Sequence, residues 1–429
     1  MNQRLTTPSS ELQQSELIRW KTDAWQDPNM VSWYSGRMTQ HDSTNALKNT
    51  IEISTIRKFA CGPEIIDIGI GTGRAALPLL ADGYRLTGID SSQAMLDETR
   101  RLAGNAPITL KVGDVSSLPV GDQTFDCAVS LNVLVHFPNW RESLLEWKRA
   151  VRPGGRLIFD IHSADNVLAS YGSDSARWPD ALKQTDGSTN FINYVSRLRL
   201  ADLVDFADKA GFRIVAAVPY GAFLGGGNVN WLSYPALDGK QSYRRALSWF
   251  AYDKGLFDLG VFIEENLVKH LTPRMSGRMF VVLENCPDRE ANARYAANVA
   301  ARDAALDQLD FDALLPWLPL SREQYKAEFE RLLQPLRSRH FFYLLYKTLK
   351  TRLPQFDFRG VLPQDVCEQF EGWMQYAHLD RQATQIARDW ATGASFRVKD
   401  GVDVTVGTEY NLVKALLEKY FGIFNGGRQ

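Results

Sequence analysis

Short apolar runs alternate with segments of helical periodicity through the first half of this chain. The apolar runs predict buried strands at 65–68, 84–90, 108–112, 125–131, 156–160 and 212–218. The segments between them predict helices that begin near residues 75, 91, 140 and 195. Strands that alternate with helices in this way pair in parallel. The pattern therefore predicts an α/β fold with a doubly wound, mostly parallel sheet.

A glycine-rich turn joins the first strand to the first helix, as Asp67-Ile-Gly69-Ile-Gly71-Thr-Gly73-Arg74. Glycines let the backbone turn sharply and let a ligand approach closely, and the helix that follows offers free amide groups at its start. The dinucleotide fingerprint Gly-x-Gly-x-x-Gly requires glycine at the position that Arg74 occupies. The turn therefore indicates a nucleotide-type cofactor, and its spacing counts against a dinucleotide.

This turn resembles the first motif of the class I S-adenosylmethionine-dependent methyltransferases. Further markers of that family follow in order: Asp90 after the second strand, Gly113-Asp114 after the third, the segment 125–137, and Pro153-Gly154-Gly155 before the fifth. Agreement at several positions is stronger than any one motif. The resemblance covers about residues 30–220. It implies a Rossmann-like sheet of seven strands with an antiparallel last strand, and S-adenosyl-L-methionine as the cofactor.

The resemblance also implies roles for individual residues. An N-terminal lid would place Trp33, Tyr34 or Arg37 over the cofactor, with Arg37 on the methionyl carboxylate and Asp67 near the amine. Asp90 would bind the ribose, although a turn aspartate that caps the next helix is the alternative. The remaining cofactor-binding candidates lie in the glycine turn and after strands two, three and four: Gly69, Gly71, Gly73, Ser91, Met95, Gly113, Asp114, Val115, Asn132 and Val133. For Asp114 the alternative is a solvated turn residue, and for Met95 a core residue.

Two histidines are candidates for catalysis. His136 follows the fourth strand and His162 the fifth, and a histidine can take a proton near neutral pH. A hydroxyl acceptor would need such a base, whereas an amine acceptor would need no base beyond desolvation. A structural histidine is the alternative for each. No clustered metal-ligand pattern is visible, so we expect no metal.

The interpretation is therefore methyl transfer to a hydroxyl or amine of a small molecule, a natural product or a sugar unit. The alternatives are a nucleotide-binding oxidoreductase that uses Asp90 for a ribose, and a scaffold whose helical half binds a partner. With 49 basic and 50 acidic residues the chain has no global charge that would favour nucleic acid. It has no uncharged apolar run near 18 residues and no apolar signal core, so we expect a cytoplasmic protein without membrane insertion.

The 429 residues are too many for one ordinary domain. We expect a lid at 1–45, a methyltransferase domain at 46–288 and a mainly helical domain at 289–429, in which 396–406 form a hairpin. The antiparallel strand is expected at Arg278–Glu284, which makes 221–275 an insertion rich in aromatic residues. This insertion would wall the substrate site or form a homodimer or interdomain surface.

Overall fold

The computed structural model describes residues 44–171, 196–221, 254–332 except 309, the strands at 395–398 and 402–405, and most residues between 16 and 35. Its central sheet has eight strands. They are β1 Glu64–Ile68, β2 Arg85–Asp90, β3 Ile108–Val112, β4 Phe125–Ser130, β5 Val151–Ser163, β6 Arg197–Leu198, β7 Arg213–Pro219 and β8 Arg278–Glu284. A separate hairpin pairs β9 Ser395–Val398 with β10 Val402–Thr405 in antiparallel register, which confirms the predicted hairpin.

Helices connect most of these strands. They are α1 Thr44–Phe59, α2 Ala76–Ala81, α3 Gln93–Ala103, α4 Trp140–Ala150, α5 Ala164–Tyr171, α6 Leu200–Ala210, α7 Lys254–Asn266, α8 Arg289–Asp307 and α9 Phe311–Leu314. Residues 322–332 are also helical, as are most described residues between 16 and 35. Within the described part of the chain, no helix is long and apolar enough to cross a membrane.

The strand order is β3-β2-β1-β4-β5-β8-β7, with β6 paired to β5. All neighbours run parallel except at β8, which is antiparallel to both β5 and β7. The prediction of a mostly parallel sheet with an antiparallel strand at Arg278–Glu284 is confirmed. The chain winds outward from β1 to β3 and then returns to β4. Open α/β sheets bind ligands at the carboxyl ends of strands where the winding reverses.

One face of β1 is held by the main hydrophobic core. Ile66 and Ile68 are fully buried in a cluster that includes Trp147 of α4 and Phe206 of α6. Side chains alternate along a strand, so Asp67 points to the opposite face. The core therefore fixes the strand from one side and leaves Asp67 facing the other.

The predicted helix beginning near residue 195 is wrong in its first turn. Arg197 and Leu198 form β6, which pairs with the end of β5, and α6 begins only at Leu200. Leu198 is buried, and the backbone N–H of Leu200 donates to Asp165 Oδ2 at 2.7 Å. Strand pairing and burial thus prevail over the local helical pattern. The helix ends at Gly211 in a left-handed conformation, as predicted.

The chain divides into two compact units. The first comprises 1–40, 49–220 and 272–301 and contains the central sheet, and the second comprises 41–48, 221–271 and 302–429. In the second unit Phe262 packs edge-on against Tyr325 and Phe329. The predicted domain boundaries stay predictions. The insertion between 222 and 253 and the helices expected after 332 lie outside the described residues.

Candidate functional site

A cavity lies at the carboxyl ends of β1, β2 and β4, where the winding of the sheet reverses. Its empty space of about 800 Å³ includes open solvent, and its lining combines apolar side chains with a few polar and charged groups, as ligand sites commonly do. Its lining belongs entirely to the first unit: Thr22, Trp25, Tyr34, Asp67, Gly69, Ile70, Gly71, Arg74, Ala75, Asp90, Ser91, Met95, Val115, Leu131, Asn132, Val133, His136 and Phe137.

The glycine turn forms one wall of this cavity. Gly69 has φ +71°, and a Cβ there would lie 2.3 Å from Cγ2 of Val133, so no other residue fits without movement. Gly71 has φ +56°, and its N–H donates to Asp90 Oδ2 at 2.8 Å. The turn is thus tied to the end of β2 while its backbone stays open to a ligand.

Asp90 is buried at the end of β2. Its Oδ1 accepts from the backbone N–H of Ser92 at 2.9 Å, and its Oδ2 accepts from Gly71. Burial raises the pKa of Asp90, and the backbone amides that face it oppose that rise. Each carboxylate oxygen keeps a lone pair for a further donor, such as a ribose hydroxyl. Both roles considered from the sequence, turn aspartate and ribose ligand, are therefore compatible with this geometry.

Asp67 is a buried carboxyl group with an unused acceptor. Its Oδ2 has no hydrogen-bond partner among the described residues. Burial raises its pKa to about 7, and the nearby charge of Asp90 adds to this, whereas Arg74 and the amide of Ala76 work in the other direction. A cationic ligand group beside Asp67 would satisfy the acceptor and favour its charged form.

Arg74 also lines the cavity, although sequence reasoning used it only to argue against a dinucleotide. It forms an ion pair with Glu52, and its Nη1 donates to Asn49 Oδ1 at 2.8 Å. Burial alone would lower the pKa of Arg74, but the charge of Glu52 helps to hold it above the ordinary value. An arginine between a ligand-binding turn and the helix that follows it is the signal that could have revealed this residue.

Aromatic rings also line the cavity. Trp25 packs edge-on against Tyr34 with ring centroids 5.6 Å apart, and it lies 5.9 Å from the ring of His136. The lid prediction for Tyr34 and the position of His136 thus converge on one place. Trp33 and Arg37, the other lid candidates, lie outside the described residues.

The loop after β4 is held by a buried polar network. Asn132 has φ +60°, its N–H donates to Asp160, and its Oδ1 accepts from Arg278 Nη1 at 2.7 Å. The hydroxyl of Tyr220 lies 2.9 Å from Asp160 Oδ2 and 3.0 Å from Glu52 Oε1. This network holds Asn132, and the neighbouring Val133 packs against Gly69 of the glycine turn. Both residues line the cavity, and their predicted role in cofactor binding stays a prediction.

Four predicted site residues do not line the cavity. Gly73 faces Leu77 and Thr99, and a Cβ on Gly113 would lie 2.5 Å from Pro119, so both glycines serve close packing. Asp114 accepts from the backbone N–H of Ser116 at 2.7 Å, which is the turn role left open above. His162 lies on β5 opposite Arg197 and Arg278. Their functional assignments stay predictions without support from this cavity.

The fold and the cavity together define a class of protein. A parallel sheet with one antiparallel strand carries a glycine turn, a buried Asp67 and a buried Asp90 around a single cavity at the switch point. This is the arrangement expected of a Rossmann-like methyltransferase. Residues 66–159 match the family model described as a methyltransferase domain.

Two curated relatives with methyltransferase names agree with this class, and a third relative is itself uncharacterised. A demethylmenaquinone methyltransferase of Clavibacter sepedonicus is 30% identical over 189 residues, which are 41% of this chain and 77% of the relative. An O-methyltransferase of Aspergillus sclerotiorum is 30% identical over 31% of this chain and 49% of its own length. An uncharacterised 37.1 kDa protein of Streptomyces fradiae is 35% identical over 37% of this chain and 46% of its own length. The chain thus spans about half the length of the last two relatives.

The chain belongs to the class I S-adenosylmethionine-dependent methyltransferases. S-adenosyl-L-methionine is accordingly its cofactor. The residues present fit that molecule, because the unused acceptor on Asp67 suits its ammonium group and the free lone pairs of Asp90 suit its ribose. Family membership favours methyl transfer over the oxidoreductase alternative.

Proposed function

We propose that this protein transfers a methyl group to a hydroxyl oxygen of a small molecule with an apolar or aromatic body, and that His136 takes the hydroxyl proton. The observation that carries the proposal is the position of His136. It lines the same cavity as the glycine turn and Asp67, and its ring lies 5.9 Å from that of Trp25. The name of the Aspergillus relative, an O-methyltransferase, supports an oxygen acceptor.

When bound, the cofactor supplies a methyl group on a positively charged sulfur. The role of the protein is to orient the reactants and to exclude water. Asp67 and Asp90 hold the polar end and the ribose at the ends of β1 and β2. Leu131 and Phe137 line the cavity beside His136 and give an acceptor an apolar surface.

His136 is well placed to receive a proton. It ends the short 3₁₀ helix Leu134–His136, which follows β4, and its backbone N–H donates to the backbone carbonyl of Val133 at 2.9 Å. Its backbone is thus tied to the loop that packs on Gly69. An imidazole accepts a proton near neutral pH, and such general-base catalysis accelerates a reaction by roughly 10²- to 10⁴-fold.

The test measures S-adenosylhomocysteine formed from S-adenosylmethionine with a panel of phenols, other hydroxylated small molecules, amines and sugars. We expect turnover with hydroxylated aromatic acceptors. His136→Gln should lower kcat by roughly 10²- to 10⁴-fold while cofactor affinity stays within about threefold. His162→Gln is the matched control, because that histidine does not line the cavity.

Three outcomes would count against the proposal. No turnover with any acceptor, in a protein that binds the cofactor, would favour the scaffold alternative. Turnover with amines alone would remove the oxygen acceptor. An unchanged rate in His136→Gln, or an equal loss in His162→Gln, would remove His136 as the base.

A further inference from the structure

Among the described residues, two charged side chains that line the cofactor cavity each have one buried polar atom without a hydrogen-bond partner. One is the acceptor Oδ2 of Asp67, and the other is the donor Nη2 of Arg74. Both residues line the cavity, one at the end of β1 and the other just before α2. Buried polar groups in folded proteins are almost always paired, so such atoms mark a place where a ligand completes the bonding.

The position of Arg74 is fixed by α1. Its ion pair with the fully buried Glu52, and its hydrogen bond to Asn49, both use Nη1. The side chain of Arg74 is only 8% exposed. Because the guanidinium is planar and carries five N–H donors, anchoring Nη1 sets the direction of Nη2. The donor is thus oriented before any ligand arrives.

Arg74 also supplies the fixed positive charge of the cavity. Among the described lining residues it is the one lysine or arginine, whereas Asp67 and Asp90 are acidic. The methionyl end of the cofactor is an α-amino acid with an ammonium and a carboxylate. Asp67 can receive the ammonium, but its own charge and that of Asp90 would repel the carboxylate. A carboxylate in this cavity therefore needs Arg74 nearby.

We propose that Arg74 binds the methionyl carboxylate of S-adenosylmethionine through Nη2, and that Glu52 and Asn49 position it for this contact. The resemblance assigned the carboxylate to Arg37, which lies outside the described residues. The proposal rests on the cofactor and not on the identity of the acceptor. A carboxylate and a guanidinium are a well-matched pair, since the charge strengthens the hydrogen bond.

The rival explanation is that Arg74 only ties α1 to the glycine turn through Glu52. The two explanations differ in what they say about a cofactor analogue that lacks the carboxylate. Decarboxylated S-adenosylmethionine keeps the adenosine, the sulfonium and the amine. A binding role for Arg74 predicts a loss confined to the carboxylate-bearing cofactor, whereas a purely structural role predicts the same loss for both molecules.

Isothermal titration calorimetry on the full chain provides the test. The wild type should bind S-adenosylmethionine about 10- to 100-fold more tightly than the decarboxylated analogue. Arg74→Gln should remove that preference, lowering affinity for S-adenosylmethionine by a similar factor while affinity for the analogue stays within about threefold. Arg57→Gln is the matched control, because Arg57 lies on α1, the helix that carries Glu52 and Asn49, and forms an exposed pair with Asp82. This variant should change neither affinity.

Each other outcome overturns the proposal. If the wild type binds both molecules equally, the proposal is refuted, and this result does not depend on whether the variant folds. An equal loss for both molecules in Arg74→Gln assigns the residue a structural role, and an unchanged preference places the carboxylate elsewhere. Arg74→Lys keeps the positive charge but loses the planar set of guanidinium donors, so it should retain part of the preference for S-adenosylmethionine over the decarboxylated analogue. A wild type that binds neither molecule would instead refute the cofactor assignment.

Discussion

Replacement of Asp67 by asparagine should stabilise the cofactor-free protein, and more so at alkaline pH. The folded state raises the pKa of Asp67 from an ordinary 3.8 to about 7, first through burial and then through the charge of Asp90. The folded protein therefore binds more protons than the unfolded chain between these two values. The stability that depends on the protonated form is complete below pH 4 and is lost as the pH rises to about 7.

The magnitude follows from the size of this shift. One pKa unit corresponds to about 1.4 kcal/mol, so the penalty on the wild type is about 2 kcal/mol at pH 5.5 and about 4 kcal/mol at pH 8.5. Asparagine does not ionise and escapes this penalty. The stability advantage of Asp67→Asn over the wild type should thus grow by about 2 kcal/mol between the two pH values, or roughly 4–8 °C in Tm.

The assay is scanning calorimetry or urea unfolding of both proteins without cofactor at pH 5.5 and 8.5. The difference between the two pH values cancels any constant effect of the substitution, such as a changed hydrogen bond. Asp205→Asn, at an exposed position paired with Lys209, should show no such growth. The reasoning would be refuted by an advantage of Asp67→Asn that is the same at both pH values. In the same variant, affinity for S-adenosylmethionine should fall, because the proposed contact with the cofactor's ammonium group loses its negative charge.

Two further predictions concern the cavity walls. Asp90→Ala should weaken S-adenosylhomocysteine binding by at least about 10-fold in calorimetry, because it removes the acceptor that anchors Gly71, the acceptor for Ser92 before α3, and the predicted ribose ligand. Asp97→Ala on α3 is the control, and unchanged affinity in a folded Asp90→Ala variant would contradict the predicted ribose role. Gly69→Ala should lower the free energy of unfolding by more than about 1 kcal/mol, because it adds a clash at 2.3 Å to an unfavourable positive φ. Gly104→Ala has a similar φ but open space, so an equal loss in urea unfolding there would show that the clash contributes nothing.

The sequence alone determined the features that depend on neighbours along the chain. Six of the eight sheet strands, the glycine turn, and the acidic residues at the ends of β1 and β2 were predicted from local patterns, and the family resemblance rests on them. The strand β6 and the helices α5 and α7 were not predicted. This succeeds because a strand, a turn with positive φ and a helix start each have their own residue preferences. The antiparallel strand at Arg278–Glu284 was also found, since its apolar run is unbroken.

The tertiary structure decided which of these residues meet. Arg74 is held by Glu52, which lies 22 positions earlier on α1. The sequence of the glycine turn therefore does not predict how the Arg74 side chain is held. His136 lines the cavity and His162 does not; His162 lies within β5, whereas the sequence had predicted it after that strand. The pairing of Arg197 with the end of β5 likewise replaced the expected first helical turn. Contacts between distant segments set burial and charge, and these decide whether an aspartate, arginine or histidine faces a ligand.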